Sequence, residues 1–546
     1  MVDLDKLNVR DFLDAAAARN PDRTFLIWQD EEQTYAQFAA KVDAAAAVWW
    51  DLGVRKGDRV AFMAGNSPGF LHAWLGLAKL GAILVAVNTG FKLAEARYLV
   101  EHSEAVAALV DPEHAGFFTE IRRTAPTLRT LCGLGDAGGG FTDFLEAMNR
   151  VGPAAVPAVD LRGDDVISLI YTSGTTGRPK GVMQTHRNYV LTGQAYPHWM
   201  NMAKGDRVYA CLPLFHINSQ AYSTMGAIGA EGALVLAPRF SASRFWPEVR
   251  KHRVNVFNYI GAMAVILSKS HPSPEDKDHH VRTAYGVPAL PFEVREQVEQ
   301  RFGLAAISGF GMSETTYGLL EPGGEPRRPG TMGVPRHHPD PSVPRTEARI
   351  VDKLGNEVGP GEVGELVLKN AAMMLGYFRD EERTAEALRD GWLHTGDSAW
   401  RDEDGWFYFV DRVKDIIRRR GENVSSLEVE QTLNAHPGVR ASAVIGVPSD
   451  LLDEDICAIV VPQPGHAPTV DELVTWCTER LARFKVPRYV EFVTEIPMTS
   501  TAKIEKHRLR SGDYARGERL DIGEAATRLS APVTAGRGSS RSSEEA

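Results

Sequence analysis

Residues 171–181, YTSGTTGRPKG, bring hydroxyls, glycines and a lysine into one short run. The backbone N–H groups of such a run fold readily into a concavity that holds an anion. The hydroxyls of Thr172, Ser173, Thr175 and Thr176 add donors for phosphate oxygens, with Gly174 and Gly177 between them. Lys180 supplies a point charge suited to a pyrophosphate leaving group. No Gly-Lys-Ser or Gly-Lys-Thr closes the run, so it is not a P-loop. Composition alone fits a surface loop as well as a phosphate cradle.

Further stretches carry residues able to do related chemistry. GFGMSET (309–315) sets Glu314 behind a glycine-rich turn. A carboxylate there suits Mg²⁺, a hard cation that seeks oxygen, although an exposed acidic residue opening a helix reads the same way. WLHTGD (392–397) ends in Asp397, whose two oxygens fit a pair of ribose hydroxyls. Taken alone, both this stretch and GVP (286–288) are ordinary turns. LPLFHINS (212–219) places His216 after an apolar strand end, where a lone histidine is more often a core residue than a catalyst.

In their order and spacing these stretches, with DRVKD (411–415) and PMTSTAKIEK (497–506), resemble the adenylate-forming superfamily. Acyl-CoA synthetases, non-ribosomal peptide adenylation domains and luciferases are its members, and the resemblance runs from residue 10 to residue 510. It implies that Thr172, Ser173, Gly174, Thr175, Thr176, Gly177 and Lys180 form the phosphate loop. It implies an adenine-binding turn at Gly286, Val287 and Pro288, with valine where alanine is usual. Gly309, Phe310, Gly311, Met312 and Ser313 then pack on the nucleotide, with Phe310 in place of tyrosine and Ser313 in place of threonine. Glu314, with Thr172, holds the metal; Asp397 and Arg412 hold the ribose; His216 lines the acyl pocket and gates the thiol tunnel. Lys414 is the hinge. Lys503 bridges the acyl carboxylate and the α-phosphate, preceded by Ala502 where glycine is commoner.

The resemblance also implies ATP, Mg²⁺ and, as co-substrate, CoA. No aspartate lies in 213–219 to hold an α-ammonium, which argues against an amino-acid substrate. RFSASRFWPEVRKHR (239–253), GWLHTGD and RRGENVSSLEVE are similar to the carnitine/crotonobetaine-CoA ligase branch. A quaternary ammonium would need an aromatic cage, for which Trp199, Trp246 and Tyr259 are the candidates.

The elements that must position these residues follow from length and pattern. At 546 residues the chain exceeds what one core supports. Apolar runs RVAFMA (59–64), AILVAV (82–87) and AALV (107–110) alternate with helix-period segments such as 35–52, entered through Thr34 as an N-cap. That alternation implies parallel sheets covered by helices. ARIVD, GEVGELVLK and WFYFVD predict a small antiparallel sheet or barrel, and the proline-rich stretch 322–345 predicts irregular structure. The fold class is therefore α/β: an N-terminal domain (1–411) of two parallel-sheet α/β subdomains plus a small β-barrel. A small mobile α+β C-terminal domain (412–511) and a disordered tail (512–546) complete it.

The apolar stretch 69–88 imitates a membrane span but contains His72, Lys79 and Gly81, so it predicts a buried helix followed by a core strand. GLGDAGGG (133–140) has too many glycines to open a helix and predicts a loop, while His279-His280 and His337-His338 predict solvated loops without metal. Arg418, Arg419 and Arg420 fit either CoA phosphates or a solvated face. A net charge of -10 argues against nucleic acid as a partner. Four scattered cysteines and a start without a secretory pattern predict a cytoplasmic protein with no membrane anchor.

The resulting expectation is an ATP-dependent acyl-CoA ligase acting on a small carboxylic acid, with a homodimer as the candidate assembly. A second reading keeps the first step and changes the acceptor to a carrier protein or amine, or the acid to an oxyacid such as nitrite. A third is a non-catalytic nucleotide or acyl binder, against which stand Thr172, Lys180, Glu314, Asp397 and Lys503 together.

Overall fold

The computed structural model describes residues 2–151, 158–172, 179–287, 289–290, 292–323, 328–412, 415–419, 422–449, 454–499 and 503–522. They form two compact units, Met1–Phe409 and Val410–Ala546.

The membrane-like stretch is the central helix of the first unit, Pro68–Leu80, capped by Ser67 and ended by Gly81 at φ +68°. Every residue from Gly69 to Leu80 is buried. The helix crosses Tyr35–Asp51, which begins with a capping box between Thr34 and Gln37. Gly76 permits the close crossing, since a Cβ there would lie 2.8 Å from the Ala46 backbone nitrogen. Lys79, 4% exposed, places its Nζ 2.6 Å from both Asp14 Oδ1 and Asp43 Oδ1. No described helix is long and apolar enough to cross a membrane.

Helices Val9–Arg19, Tyr35–Asp51, Pro68–Leu80 and His186–Trp199 fill a layer between two sheets, sharing one core with Phe62, Leu84 and Ile170 of the smaller sheet and Leu26, Leu234 and Ile307 of the larger. Ala242–Lys251, Gly261–Ser268 and Phe292–Phe302 cover the far face of the larger sheet. Leu93–Ser103 and Ala115–Thr124 cover that of the smaller. In the smaller sheet, Val166–Thr172, Ile83–Ala86, Arg59–Met63 and Ala107–Val110 run parallel. The hairpin partner Lys180–Thr185 and then Gly376–Tyr377 add an antiparallel edge.

The larger sheet changes character at Ala305–Met312. On one side its neighbours back to Thr24–Trp28 are parallel. On the other, Thr315–Leu320 and Thr331–Pro335 pair antiparallel, followed by Phe407–Arg412, Trp392–Arg401, Gly364–Lys369 and Glu347–Val351. The antiparallel part is thus continuous with the parallel one. The proline-rich stretch is not wholly irregular, because Thr331–Pro335 is a strand within it. Its Pro335 ends the strand, where the missing N–H costs least. Gly333, at φ +90°, fits where a Cβ would lie 2.0 Å from the Leu320 carbonyl carbon. The paired histidines are also less exposed than their polar surroundings imply: His338 is 9% exposed and His279 stacks on Trp246 at 4.8 Å. Burial holds both imidazoles below their ordinary pKa.

The second unit is a sheet in the order Val439–Pro448, Glu454–Pro462, Tyr489–Phe492 and Arg519–Asp521. Ser426–Asn434 and Val470–Arg480 cover one face and Lys506–Ser511 the other. A tail starting at 512 is therefore corrected. Arg519–Asp521 pairs with Tyr489–Glu491 and Ile522 is buried, a contribution of two apolar residues too short to stand out in a polar segment. Arg419 is likewise neither solvated nor turned to a ligand. It is 9% exposed, with Nε 3.1 Å from Asp455 Oδ1 and Nη1 donating to Phe484 O and Val486 O.

A buried ammonium depends on its partners. Asp14→Ala/Asp43→Ala should cost about 3–5 kcal/mol by stranding Lys79, whereas Lys79→Met should be neutral or stabilising. Thermal unfolding followed by circular dichroism separates the two. A Lys79→Met protein melting as low as the double aspartate variant would contradict this account.

Candidate active site

The ends of the 171–181 run face each other across an antiparallel ladder, Thr172 opposite Lys180 and Tyr171 opposite Gly181. Ser173, Gly174, Thr175, Thr176 and Gly177 lie outside the described residues, as do Pro288 and Lys414. The Lys180 Nζ stands 4.0 Å from the ring centroid of Tyr377, and the Tyr377 hydroxyl donates to Glu314 Oε1 at 2.9 Å. Glu314 is 6% exposed. Burial, with the neighbouring Glu314 carboxylate, raises the Tyr377 pKa far above its usual value, so the phenol stays a neutral donor.

Glu314 occupies a two-residue turn, with Ser313, between Met312 and its cross-strand partner Thr315. The hairpin on the smaller sheet ties that turn down: Gln184 Nε2 donates to Ser313 O at 2.5 Å. Met374 N donates to Glu314 O at 2.7 Å, and Asn188 Nδ2 to Met373 O at 3.0 Å. Tyr377 itself is fixed by pairing with Val182. Thr172, Lys180 and the acidic turn, expected to act together, are therefore linked by a segment around Tyr377 that sequence reasoning did not single out. Its letters, GYF, carry no distinctive pattern.

On the strand leading to the turn, Gly309 and Gly311 let two polar side chains close on one face. A Cβ on Gly309 would lie 2.7 Å from Arg336 Nη2, and one on Gly311 2.8 Å from the Tyr222 hydroxyl oxygen. Phe310 points the other way and packs with Leu319, Met332 and Leu366. Gly286 is required by close approach, since a Cβ there would fall 2.2 Å from the Tyr259 ring; Val287 beside it is half-buried.

His216 is half-buried, its ring 4.7 Å from that of Phe215, and it precedes a π-helical turn at Asn218–Thr224. Such turns often mark functional sites. The loop carrying His216 is stapled by the buried Asn66, which accepts from Leu214 N at 2.7 Å and donates to Leu212 O and Ala237 O at 3.0 Å each. Tyr189 adds a buried link to Gln220 Oε1 at 2.5 Å, and Gln220 Nε2 donates to Leu214 O at 2.6 Å.

Asp397, 2% exposed, lies on Trp392–Arg401, four strands from Ala305–Met312 in the sheet order. The ladder with Gly364–Lys369 slips between Glu365 and Val367. Gly396, at φ +70°, donates to Glu365 Oε1 at 3.0 Å, and Asp397 N donates to Thr395 Oγ1 at 3.1 Å. A bulge of this kind re-aims a side chain, here the aspartate.

Arg412 and Lys503 belong to the second unit, and both are exposed. Lys503 sits in a narrow β-bridge between Met498 and Ile504, its backbone carbonyl accepting from Thr499 N at 2.7 Å. A half-buried lysine nearby is Lys506, 2.8 Å from Glu430 Oε1 and 2.6 Å from Ser426 Oγ. Among the cage candidates, Trp199 lies 4.7 Å from the Arg336 guanidinium, and Trp246 and Tyr259 pack in the core beyond the larger sheet.

A hydroxyl-rich hairpin ending in a cation, coupled through one phenol to a buried carboxylate on a tight turn, defines an α/β enzyme built for phosphorylated ligands. The chain belongs to the AMP-binding enzymes, whose main domain matches residues 13–378 and whose C-terminal domain matches residues 428–503. It is 34% identical over 519 residues to the crotonobetaine/carnitine–CoA ligase of Salmonella paratyphi B, across 92% of this chain and 99% of that one. Among solved structures it is similar to an anthranilate CoA ligase in complex with anthranoyl-AMP, with a TM-score of 0.85 and 28% identity over 94% of this chain and 98% of that one. It is also similar to the O-succinylbenzoate coenzyme A synthetase of Bacillus subtilis in complex with AMP, with a TM-score of 0.80 and 26% identity over 93% and 99% of the two chains.

Removing the Tyr377 hydroxyl leaves the buried Glu314 without that donor. In Tyr377→Phe the affinity for ATP with Mg²⁺ should fall about tenfold, the worth of one hydrogen bond to a charged group. An unchanged affinity by calorimetric titration would detach Tyr377 from the nucleotide site.

Proposed function

We propose that the protein is an ATP-dependent acyl-CoA ligase. A carboxylate oxygen of the acid attacks the α-phosphorus of ATP, the bond to pyrophosphate breaks, and acyl-AMP results. The sulfur of CoA then attacks the acyl carbon, its proton leaves, and the acyl–oxygen bond breaks to release AMP. The observation that carries this reading is the Lys180–Tyr377–Glu314 junction, which sets a cation over the ring of a phenol whose hydroxyl donates to a buried carboxylate. Membership of the AMP-binding family and the likeness to several CoA ligases support it.

In this reading Lys180 and the 172–177 hydroxyls and amides bind the pyrophosphate end, while Asp397 and Arg412 hold the ribose. Gly286 through Pro288 and the Gly309–Ser313 strand line the base. The acyl group lies near the His216 loop and the Arg336 and Tyr222 side chains that close on Gly309 and Gly311. Among the described residues no cluster of three or more His, Cys, Asp or Glu forms a metal cage. A single buried Glu314 beside a hydroxyl-bearing hairpin fits Mg²⁺ carried in on phosphates, the usual mode for that ion. Glu314 and Thr172 would hold it, and it would supply charge neutralisation of the phosphates. The C-terminal domain, 412–511, is proposed to turn about Lys414, because one site serves two transition states. The four free, buried thiols fit a reducing cytoplasm.

Pyrophosphate release across a panel of carboxylic acids, with and without CoA, tests the reading. Acid-dependent release that never yields AMP and a thioester would replace CoA by another acceptor. Within it, Asp397→Ala should weaken ATP by about 1.5–3 kcal/mol for each ribose bond lost, and unchanged ATP affinity would take Asp397 away from the ribose. Lys503→Ala should slow acyl-AMP formation by about 10²–10³-fold, the scale for one preorganised donor. Substrate affinity should barely move, because the interaction grows with transition-state charge. Thioester formation from supplied acyl-AMP and CoA should stay near normal; normal adenylation in the variant would remove Lys503 from the chemistry.

A further inference from the structure

Arg336 follows the strand Thr331–Pro335 and is 2% exposed. Its backbone is fully engaged, N donating to Gly318 O at 2.8 Å and O accepting from Thr346 Oγ1 at 2.5 Å. Its guanidinium is not. Nη2 donates to Leu319 O at 3.2 Å, while Nε and Nη1 are buried and have no hydrogen-bond partner among the described residues. Instead the charge is boxed by Trp199 at 4.7 Å, Tyr285 at 4.8 Å and Tyr222 at 5.8 Å. Aromatic faces attract a cation but accept no N–H in the plane of the guanidinium. A buried cation with no carboxylate beside it and two N–H groups unanswered is costly, and such a group in a native fold calls for a ligand to complete it.

The position says which ligand. Arg336 Nη2 lies directly over the side-chain face of Gly309 and the Tyr222 hydroxyl over that of Gly311, Tyr222 belonging to the π-helical turn after His216. In the ligase reading, on which this inference rests, that is where the acyl group sits. The ring face of Trp199 that would receive a quaternary ammonium is already taken by Arg336, and a second cation there would face like charge at low dielectric.

We propose that Arg336 is a specificity-determining residue of the acyl site, and that this chain activates acids bearing a second carboxylate rather than a trimethylammonium group. The distal carboxylate accepts from the idle N–H groups and pairs the charge. The test compares kcat/KM for CoA-dependent AMP formation among α,ω-dicarboxylic acids, alkyl acids and trimethylammonio acids of matched chain length. The dicarboxylic acid should exceed its alkyl match by about 10²-fold or more, because an acid without the acceptor leaves buried donors unpaired. The trimethylammonio acid should fall below both. Arg336→Met should erase or invert that order, and Arg336→Lys should keep its direction. Both proteins are checked for a wild-type melting temperature. The wild-type order stands as evidence even if Arg336→Met fails to fold. Turnover in which the trimethylammonio acid equals or beats the dicarboxylic acid overturns this inference and leaves the ligase reading standing. So does an unchanged order in a folded Arg336→Met. Silence across every acid, with and without CoA, overturns both.

Discussion

The hydrogen bond from Tyr377 to Glu314, made beneath the ammonium of Lys180, is the contact on which the site depends. Lys180 and Tyr377 belong to the smaller sheet and Glu314 to a turn of the larger. Each sheet has its own outer core, and between them lies a helical layer that fixes their spacing only to the precision of side-chain packing. A neutral phenol serves both charges: it satisfies the carboxylate with a donor and offers the ammonium a ring face. Burial, which pushes its own ionisation out of reach, keeps it in that role. Gln184 and Met374 hold the turn in place from the same hairpin and segment, so the junction is braced on both sides.

The same economy of buried charge separates structural cations from the one at the acyl site. Lys79 has Asp14 and Asp43, Arg295 has Glu321 at 2.8 Å, and Arg419 has Asp455. Each is a buried cation answered by a carboxylate from a distant part of the chain, the arrangement that makes burial tolerable. Arg336 is as buried as these and is answered by rings, one carbonyl and the Tyr222 hydroxyl, with no carboxylate. The contrast lies within one protein, under one set of packing rules, which is why it points to a ligand and not to a tolerance for unpaired charge.

Much of the fold was legible because it is written in short-range pattern. The Thr34 cap, the Pro68 start and Gly81 stop, and the alternation of apolar runs with helical periods are all local. So are the motifs around Lys180, Glu314 and Asp397, which are contiguous strings. What positions them is not. Asn66 reaches Leu212 across 146 residues, and Tyr377 reaches Glu314 across 63. No local pattern announces either, since asparagine and tyrosine in a loop have many uses. Arg336 sat in a stretch set aside as irregular for its prolines, although Val334 and Pro335 pair with Leu320 and Leu319. The polar surroundings of His279 and His338 hid aromatic and apolar neighbours that only tertiary packing supplies.

The second unit secures its own opening residues in the same way, by a buried carboxylate. Asp411 Oδ2 accepts from Ser426 Oγ at 2.5 Å, from Leu427 N at 3.3 Å and from Ser425 Oγ at 3.4 Å, and Val410 O accepts from Ser425 Oγ at 2.7 Å. These bonds cap the helix Ser426–Asn434 and fasten the chain before residue 414 to the chain after it. A hydrogen bond to a charged acceptor is worth about 1.5–3 kcal/mol. Lys506 holds Ser426 Oγ from the other side while anchored to Glu430, keeping the donor aimed at Asp411. Asp411, 4% exposed, is therefore held by the helix that follows it in the chain, and the opening of the second unit is locked to that unit's own core.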